Sequence, residues 1–365
     1  MIKDLLSPDP KLEWFSWMPS KTPFQLSQID NSYTYSRATD GFYALLKTLG
    51  LKKGDQVILP AYCCAELIEP IRALNLEVVF YTLEQALSPN WQQLERYFKH
   101  EQAKVAVMIH FFGFKQDIKK MHQLCNKHHL FLIEDCVHLM EPIDQMKQLK
   151  KNHAKLYSPR KFFSIIDGGL LVTDKKIDIE LQNNDSLIRL LQWLFWQIII
   201  CYGLYTLLSN QYKRIKKSVK KQCLTSQNKY TPKKMHPVSK WLLTKQDIDK
   251  MINQRKKNMS IVSQLKDNLL LKPLFIYPVD DIGPVFFPLI TEKKNKEVII
   301  KIFQEVGVCI YNWPKLDPMI KNNKRYRLEN EWVECIFAMP ISQSISEKKI
   351  TQLIDQLNKR LTSVH

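Results

Sequence analysis

Short, almost wholly apolar runs alternate with helix-length stretches through the first half of this chain, and that alternation is its tightest constraint. The runs fall at 56–60, 77–81, 105–109, 130–133 and 168–173. Between them, 41–50 has apolar positions at helical spacing (Phe42, Leu45, Leu46, Leu49) before Gly50, and 65–74 and 118–128 also read as helices. Strands apolar on both faces belong to a mostly parallel central sheet covered by helices on each side. In such α/β sheets, ligands bind beyond the carboxyl ends of the strands.

After Pro237 the pattern changes. A polar helix over 245–265 leads to an apolar run at 285–290, a helix near 296–306, a second run at 335–340 and a closing helix over 347–361. At 365 residues the chain exceeds one usual core. The expectation is a large domain over 1–240, with an apolar and basic insertion at about 186–235, and a small α+β domain over 241–365.

Charge is concentrated rather than spread. The net charge is +18, and the stretch from Ser186 to Gln246 holds 12 Lys and Arg with no Asp or Glu. That is a local polybasic patch, and no nucleic-acid partner is expected. The N-terminus shows no long apolar stretch, and the eight cysteines include no C-x-x-C pair, so a cytoplasmic protein with reduced thiols and no metal site is expected.

Three local groupings point to chemistry. Ile133-Glu134-Asp135-Cys136-Val137-His138 follows an apolar strand, which puts Asp135 at its carboxyl end and lets His138 turn to the same face. Taken alone, such a pair also suits a solvated loop or a helix cap. Tyr157-Ser158-Pro159-Arg160-Lys161 precedes Asp167-Gly168-Gly169 and a further strand. By itself Lys161 also reads as a surface lysine. The third is Ala38-Thr39-Asp40-Gly41 at a helix start, followed by Leu49-Gly50 and Gly54-Asp55-Gln56-Val57-Ile58-Leu59-Pro60.

Together with His110-Phe111-Phe112-Gly113 through Asp117, Arg255 with Asn258, and Ala338-Met339-Pro340-Ile341, this series resembles the DegT/StrS family of sugar-nucleotide aminotransferases. The likeness covers roughly 35–175 and 235–360, in order and at family spacing. It implies the fold type I of enzymes dependent on pyridoxal 5′-phosphate (PLP), a homodimer, and transfer of an amino group from an amino acid, glutamate foremost, to a keto sugar nucleotide in cell-surface polysaccharide synthesis. That chemistry needs a lysine, a carboxylate for the ring nitrogen, donors for the phosphate and a cover for the ring. The resemblance implies Lys161 as the covalent anchor and proton shuttle, Asp135 on the ring nitrogen, His138 on the phenolic oxygen, and Ala38 and Thr39 on the phosphate. Lys161 is kept where dehydrating relatives carry His.

The chain also departs from the family. Cys64 stands where a stacking aromatic is usual, leaving Tyr62 or another residue to cover the ring. Leu156 replaces the usual phosphate-binding Ser, and Ser158 is the substitute on the same loop. His110, Tyr311, Asn312 and Trp313 are candidates for the substrate side, each equally open to a structural role. A fold that has lost catalysis and serves as a membrane-bound scaffold is the competing reading.

Leu190 to Tyr212 contains no charged residue and is long enough to span a bilayer. A span would split the two halves of the fold across the membrane, so two readings are carried. One is a buried helix at a dimer interface; the other, preferred, is peripheral contact through 187–221 at the inner face of the membrane, with lysines on anionic headgroups.

Overall fold

The computed structural model describes residues 23–201, 230–265, 270–275, 282–308 and 310–362. In the large sheet the strands are β1 (Ser32–Tyr35), β2 (Gln56–Pro60), β3 (Glu77–Tyr81), β4 (Ala103–Ile109), β5 (Phe131–Asp135), β7 (His153–Tyr157) and β8 (Gly169–Thr173), while β6 (Leu139–Met140) lies outside it. Their order is β1-β8-β7-β5-β4-β2-β3, and β8 alone runs against the rest. Every residue of β5, β7 and β8 is buried, as a strand covered on both faces requires. The expected mostly parallel α/β sheet is present.

The helices of this half are α1 (Ala38–Thr48), α2 (Glu69–Ala73), α3 (Trp91–Phe98), α4 (Ile118–Lys127), α5 (Ile143–Met146) and α6 (Leu187–Cys201). Helix α1 buries Phe42, Leu45 and Leu46, and Asp40 closes its first turn by accepting the Arg37 N–H at 3.1 Å. Helix α4 starts where Asp117 accepts the Lys120 N–H at 3.0 Å. The single helix expected over 65–74 is divided into a 3-10 turn, Ala65–Leu67, and α2. Pro70 has no N–H to donate and fits only a first turn, so the helix restarts there.

Two strands of the large sheet, β1 and β7, escaped the hydropathy reading, as did the two-residue strands β6, Lys272–Pro273 and Gly283–Pro284. His153 and Lys155 interrupt the apolar run of β7, yet both are buried. Lys155 is tolerated because its ammonium donates to the Glu141 carboxylate at 3.2 Å and to the Gln145 carbonyl at 2.8 Å.

The C-terminal part contains α7 (Pro237–Leu243), α8 (Ile248–Val262), α9 (Lys296–Val306), α10 (Arg327–Cys335) and α11 (Glu347–Thr362). Its three-stranded sheet places β11 (Phe286–Ile290) between β9 (Lys272–Pro273) and β12 (Ile336–Pro340). Helix α8 feeds two apolar cores: Met251 and Ile252 join the large one, and Met259 and Val262 join a second with α9, α11 and the small sheet. A short ladder, β10 (Gly283–Pro284) on β6, then ties this part back to the loop following Asp135.

Among the described residues no helix is long and apolar enough to cross a membrane. Residues 202–229, including the Lys213–Lys221 cluster, lie outside the described residues.

Candidate active site

The carboxyl ends of β4, β5 and β7 meet in one place, since Ile109 pairs with Asp135 and Asp135 with Leu156. Asp135 therefore ends its strand inside protein, 5% exposed. One carboxylate oxygen accepts the Val137 N–H at 3.0 Å, and among the described residues the other has no hydrogen bond. Burial pushes its pKa up, while that N–H and the ammonium of Lys161 pull the other way.

Lys161 closes the 3-10 turn Pro159–Lys161 directly after β7. Desolvation, helped by the adjacent Arg160 guanidinium, pulls its ammonium down to about 8, against the attraction of Asp135, Cys64 and Glu66. Among the described residues it forms no ion pair. A half-buried, desolvated amine that sheds its proton near neutrality is a nucleophile in waiting.

His138 is 1% exposed, and its Nδ1 has no partner among the described residues. Burial, with Lys161 nearby, keeps the imidazole neutral by holding its pKa well below the usual value. Its backbone is fixed from the other half of the chain, where the Val285 N–H donates to the His138 carbonyl at 2.9 Å. Gly113, at φ 103°, passes so close that a Cβ would stand 2.4 Å from that same carbonyl.

Opposite lies the N-terminus of α1. Strand β8 approaches it at Gly169, where a Cβ would come within 2.2 Å of the Arg37 carbonyl carbon and 2.4 Å of the Ala38 nitrogen. The Thr39 hydroxyl is buried beside the Tyr230 phenol without a well-directed hydrogen bond. Tyr230 stacks on Tyr43 at 4.7 Å and donates to Asp40 at 3.0 Å. Ser158 reaches the Gly168 carbonyl only at 3.5 Å, and the Ser164 hydroxyl is buried with no partner among the described residues. Unpaired N–H groups at a helix start, with loosely held hydroxyls around them, suit a phosphate.

The lysine, the unengaged carboxylate oxygen and this phosphate cradle meet three of the four requirements of PLP, and the unpartnered imidazole nitrogen adds a group for its phenolic oxygen, so the residues fit it. Sequence reasoning missed Ser164 and Tyr230; the latter lies 190 positions from Asp40, and no local signal marks it.

The remaining candidates divide. Cys64 is a half-buried thiol close enough to Lys161 to affect its charge. Tyr62 is fully buried, and its hydroxyl donates to the Trp313 carbonyl at 2.6 Å. Trp313 itself stands edge-on to His138 at 4.7 Å, so the C-terminal part brings an aromatic to the site. Both ring nitrogens of His110 are engaged, Nε2 with Glu134 at 2.9 Å and Nδ1 with the Gln116 N–H at 3.1 Å, which commits it to structure rather than to substrate. Tyr311 stacks on Phe286 at 4.8 Å and is 37% exposed.

This fold is that of PLP-dependent aminotransferases. A protein of Streptococcus pneumoniae assigned as a sugar aminotransferase, solved in its PLP form, superposes with a TM-score of 0.67 over 99% of this chain and 100% of its own, at 12% identity. Helicobacter pylori PseC, an aminotransferase involved in the biosynthesis of pseudoaminic acid, gives 0.63 over 98% and 99%, also at 12% identity. Residues 25–187, a segment that holds Lys161, Asp135 and His138, match the model of the DegT/DnrJ/EryC1/StrS aminotransferase family. In sequence the chain is also similar to GDP-perosamine synthase of Vibrio cholerae, 27% identical over 110 residues that make up 30% of each protein.

Proposed function

We propose that the chain is a PLP-dependent aminotransferase that moves an amino group from an amino acid, glutamate foremost, to a keto sugar nucleotide used in cell-surface polysaccharides. The observation that carries this reading is Lys161, an amine drawn down to about 8, facing a buried carboxylate with one oxygen unengaged. The names of the relatives, a GDP-perosamine synthase among them, support the substrate class. The proposed division is a large domain to about residue 240 and a small one beyond it. The working unit is a cytoplasmic homodimer whose stretch 187–221 makes peripheral membrane contact.

Bound PLP supplies an electron sink that stabilises negative charge on the substrate carbon. The residues of the chain do the rest. Asp135 would pair with the ring nitrogen and favour its protonated form. Lys161 would hold the cofactor and, as the base beside the substrate carbon, would take up and return its proton. Neutral His138 offers Nδ1 to the phenolic oxygen. Thr39, Ser158, Ser164 and the first amides of α1 hold the phosphate. Phe112, stacked on His138 at 6.2 Å, and Trp313 exclude water from one side.

The test is to record the absorption spectrum of the protein with added PLP, reduce it with borohydride, and map the modified peptide. A reducible band fixed onto Lys161 supports the reading. No band, or a label on another lysine, sinks it in favour of a non-catalytic scaffold.

A further inference from the structure

Helix α6 carries apolar side chains on two faces. On one, Trp193 and Gln197 are buried, at 9% and 6% exposure, and Leu190 and Leu194 pack against the core. Its first turn is anchored by a cation, with the Arg189 guanidinium bonded to the Asn184 side chain and 3.7 Å from the Asp167 carboxylate. A second set of apolar residues points the other way: Leu187, Ile188, Leu191, Phe195 and Ile198 are 65%, 68%, 56%, 58% and 54% exposed. At 3.6 residues per turn these five fall within an arc of about 100°, a continuous apolar stripe. A helix on a globular domain normally buries such a stripe, and a patch on this scale marks an interaction surface.

Charge identifies the occupant. The sequence carries no acid from Ser186 to Gln246. Lys233 and Lys234 are exposed, and their strand is tied to the segment leading into α6, with the Lys234 N–H donating to the Gln182 carbonyl at 2.9 Å. Lys240, also exposed, lies on α7, whose Ser239 hydroxyl accepts the Asp167 N–H at 3.1 Å beside the anchor of α6. An apolar stripe on a helix followed by an acid-free, lysine-rich stretch of sequence matches a bilayer interface, where acyl chains take the stripe and anionic headgroups take the ammonium groups.

We infer that α6 lies in the plane of an anionic membrane surface, with Leu187, Ile188, Leu191, Phe195 and Ile198 among the acyl chains and Lys233 and Lys234 on headgroups. This specifies the peripheral contact proposed above. It does not depend on catalysis, because none of these residues touches the cofactor site.

The experiment is co-sedimentation of the full chain with vesicles of phosphatidylglycerol and phosphatidylcholine, and with phosphatidylcholine alone. Binding is expected on the anionic vesicles and about tenfold weaker on the neutral ones. The pair Leu191→Gln and Phe195→Gln should weaken anionic binding about tenfold or more, and Lys233→Glu with Lys234→Glu should reduce it on anionic vesicles only. PLP capture at Lys161, measured on each variant, reports that the fold is intact and keeps this test separate from the catalytic one. The inference is overturned if the wild type stays in the supernatant, or if the glutamine pair binds as well as the wild type. It is also overturned if that pair changes the sedimenting mass, which would make a second copy of the chain the occupant.

Discussion

The two faces of β5 carry adjacent acids with opposite fates. Glu134 looks to the back of the sheet, where His110 donates to one oxygen at 2.9 Å and His153 lies 2.6 Å from the other in a close but poorly directed contact. Burial opposes its charge, yet these imidazoles outweigh burial and hold the carboxyl well below its usual range. Asp135, one residue on, faces the site with one oxygen unengaged, and there burial prevails and raises the pKa. Both are buried to a similar degree, at 6% and 5% exposure, so depth does not separate them. Satisfaction does: the acid whose bonds are complete holds the fold, and the one left incomplete awaits a ligand.

That contrast can be broken most sharply at Lys161. Lys161→Ala should lower transamination by more than about a thousandfold, abolish the borohydride-fixed label, and leave the thermal midpoint unchanged or higher, because a desolvated amine is lost. Next, Asp135→Asn should cost about 10²- to 10³-fold in kcat with little change in stability, since only the charge offered to the ring is removed. Glu134→Gln should do the reverse and destabilise the fold by about 3 kcal/mol in urea titrations while leaving kcat within a few fold. Because the folded pKa of Glu134 is depressed, its stabilisation is present above the unfolded value of about 4.3 and fades as pH falls, so wild type and variant should converge in acid. If Glu134→Gln spared stability and removed activity, the division between the two faces would be wrong.

Smaller effects sharpen it. Capture of PLP by the wild type should rise with pH through about 8, because the neutral amine is the reactive form and its pKa is lowered. Arg160→Gln removes a neighbouring positive charge, so the midpoint of that rise should move up by a few tenths of a pH unit, read from the pH dependence of the capture rate.

Much of the cofactor side was legible because its parts are local. Asp135 and His138 share one strand end, and Lys161 and Asp167-Gly168-Gly169 share one loop. Side chains that meet across the fold were not legible. The partners of Glu134 arrive from β7 and from the end of β4, and Trp313 reaches His138 from 175 positions away. Nor does periodicity reveal direction. The apolar stripe of α6 is plain in the sequence, but only the position of Arg189 against Asp167 shows that the stripe faces outward.

The β6–β10 ladder has a mechanical meaning as well. Gly283 and Pro284 are zipped to Met140 and Leu139, and the next residue, Val285, holds the carbonyl of His138. The C-terminal half is thus riveted to the wall on which the cofactor would rest. A substrate pulling on that half would transmit its load straight to His138, and any swing that frees the site has to pivot around the rivet.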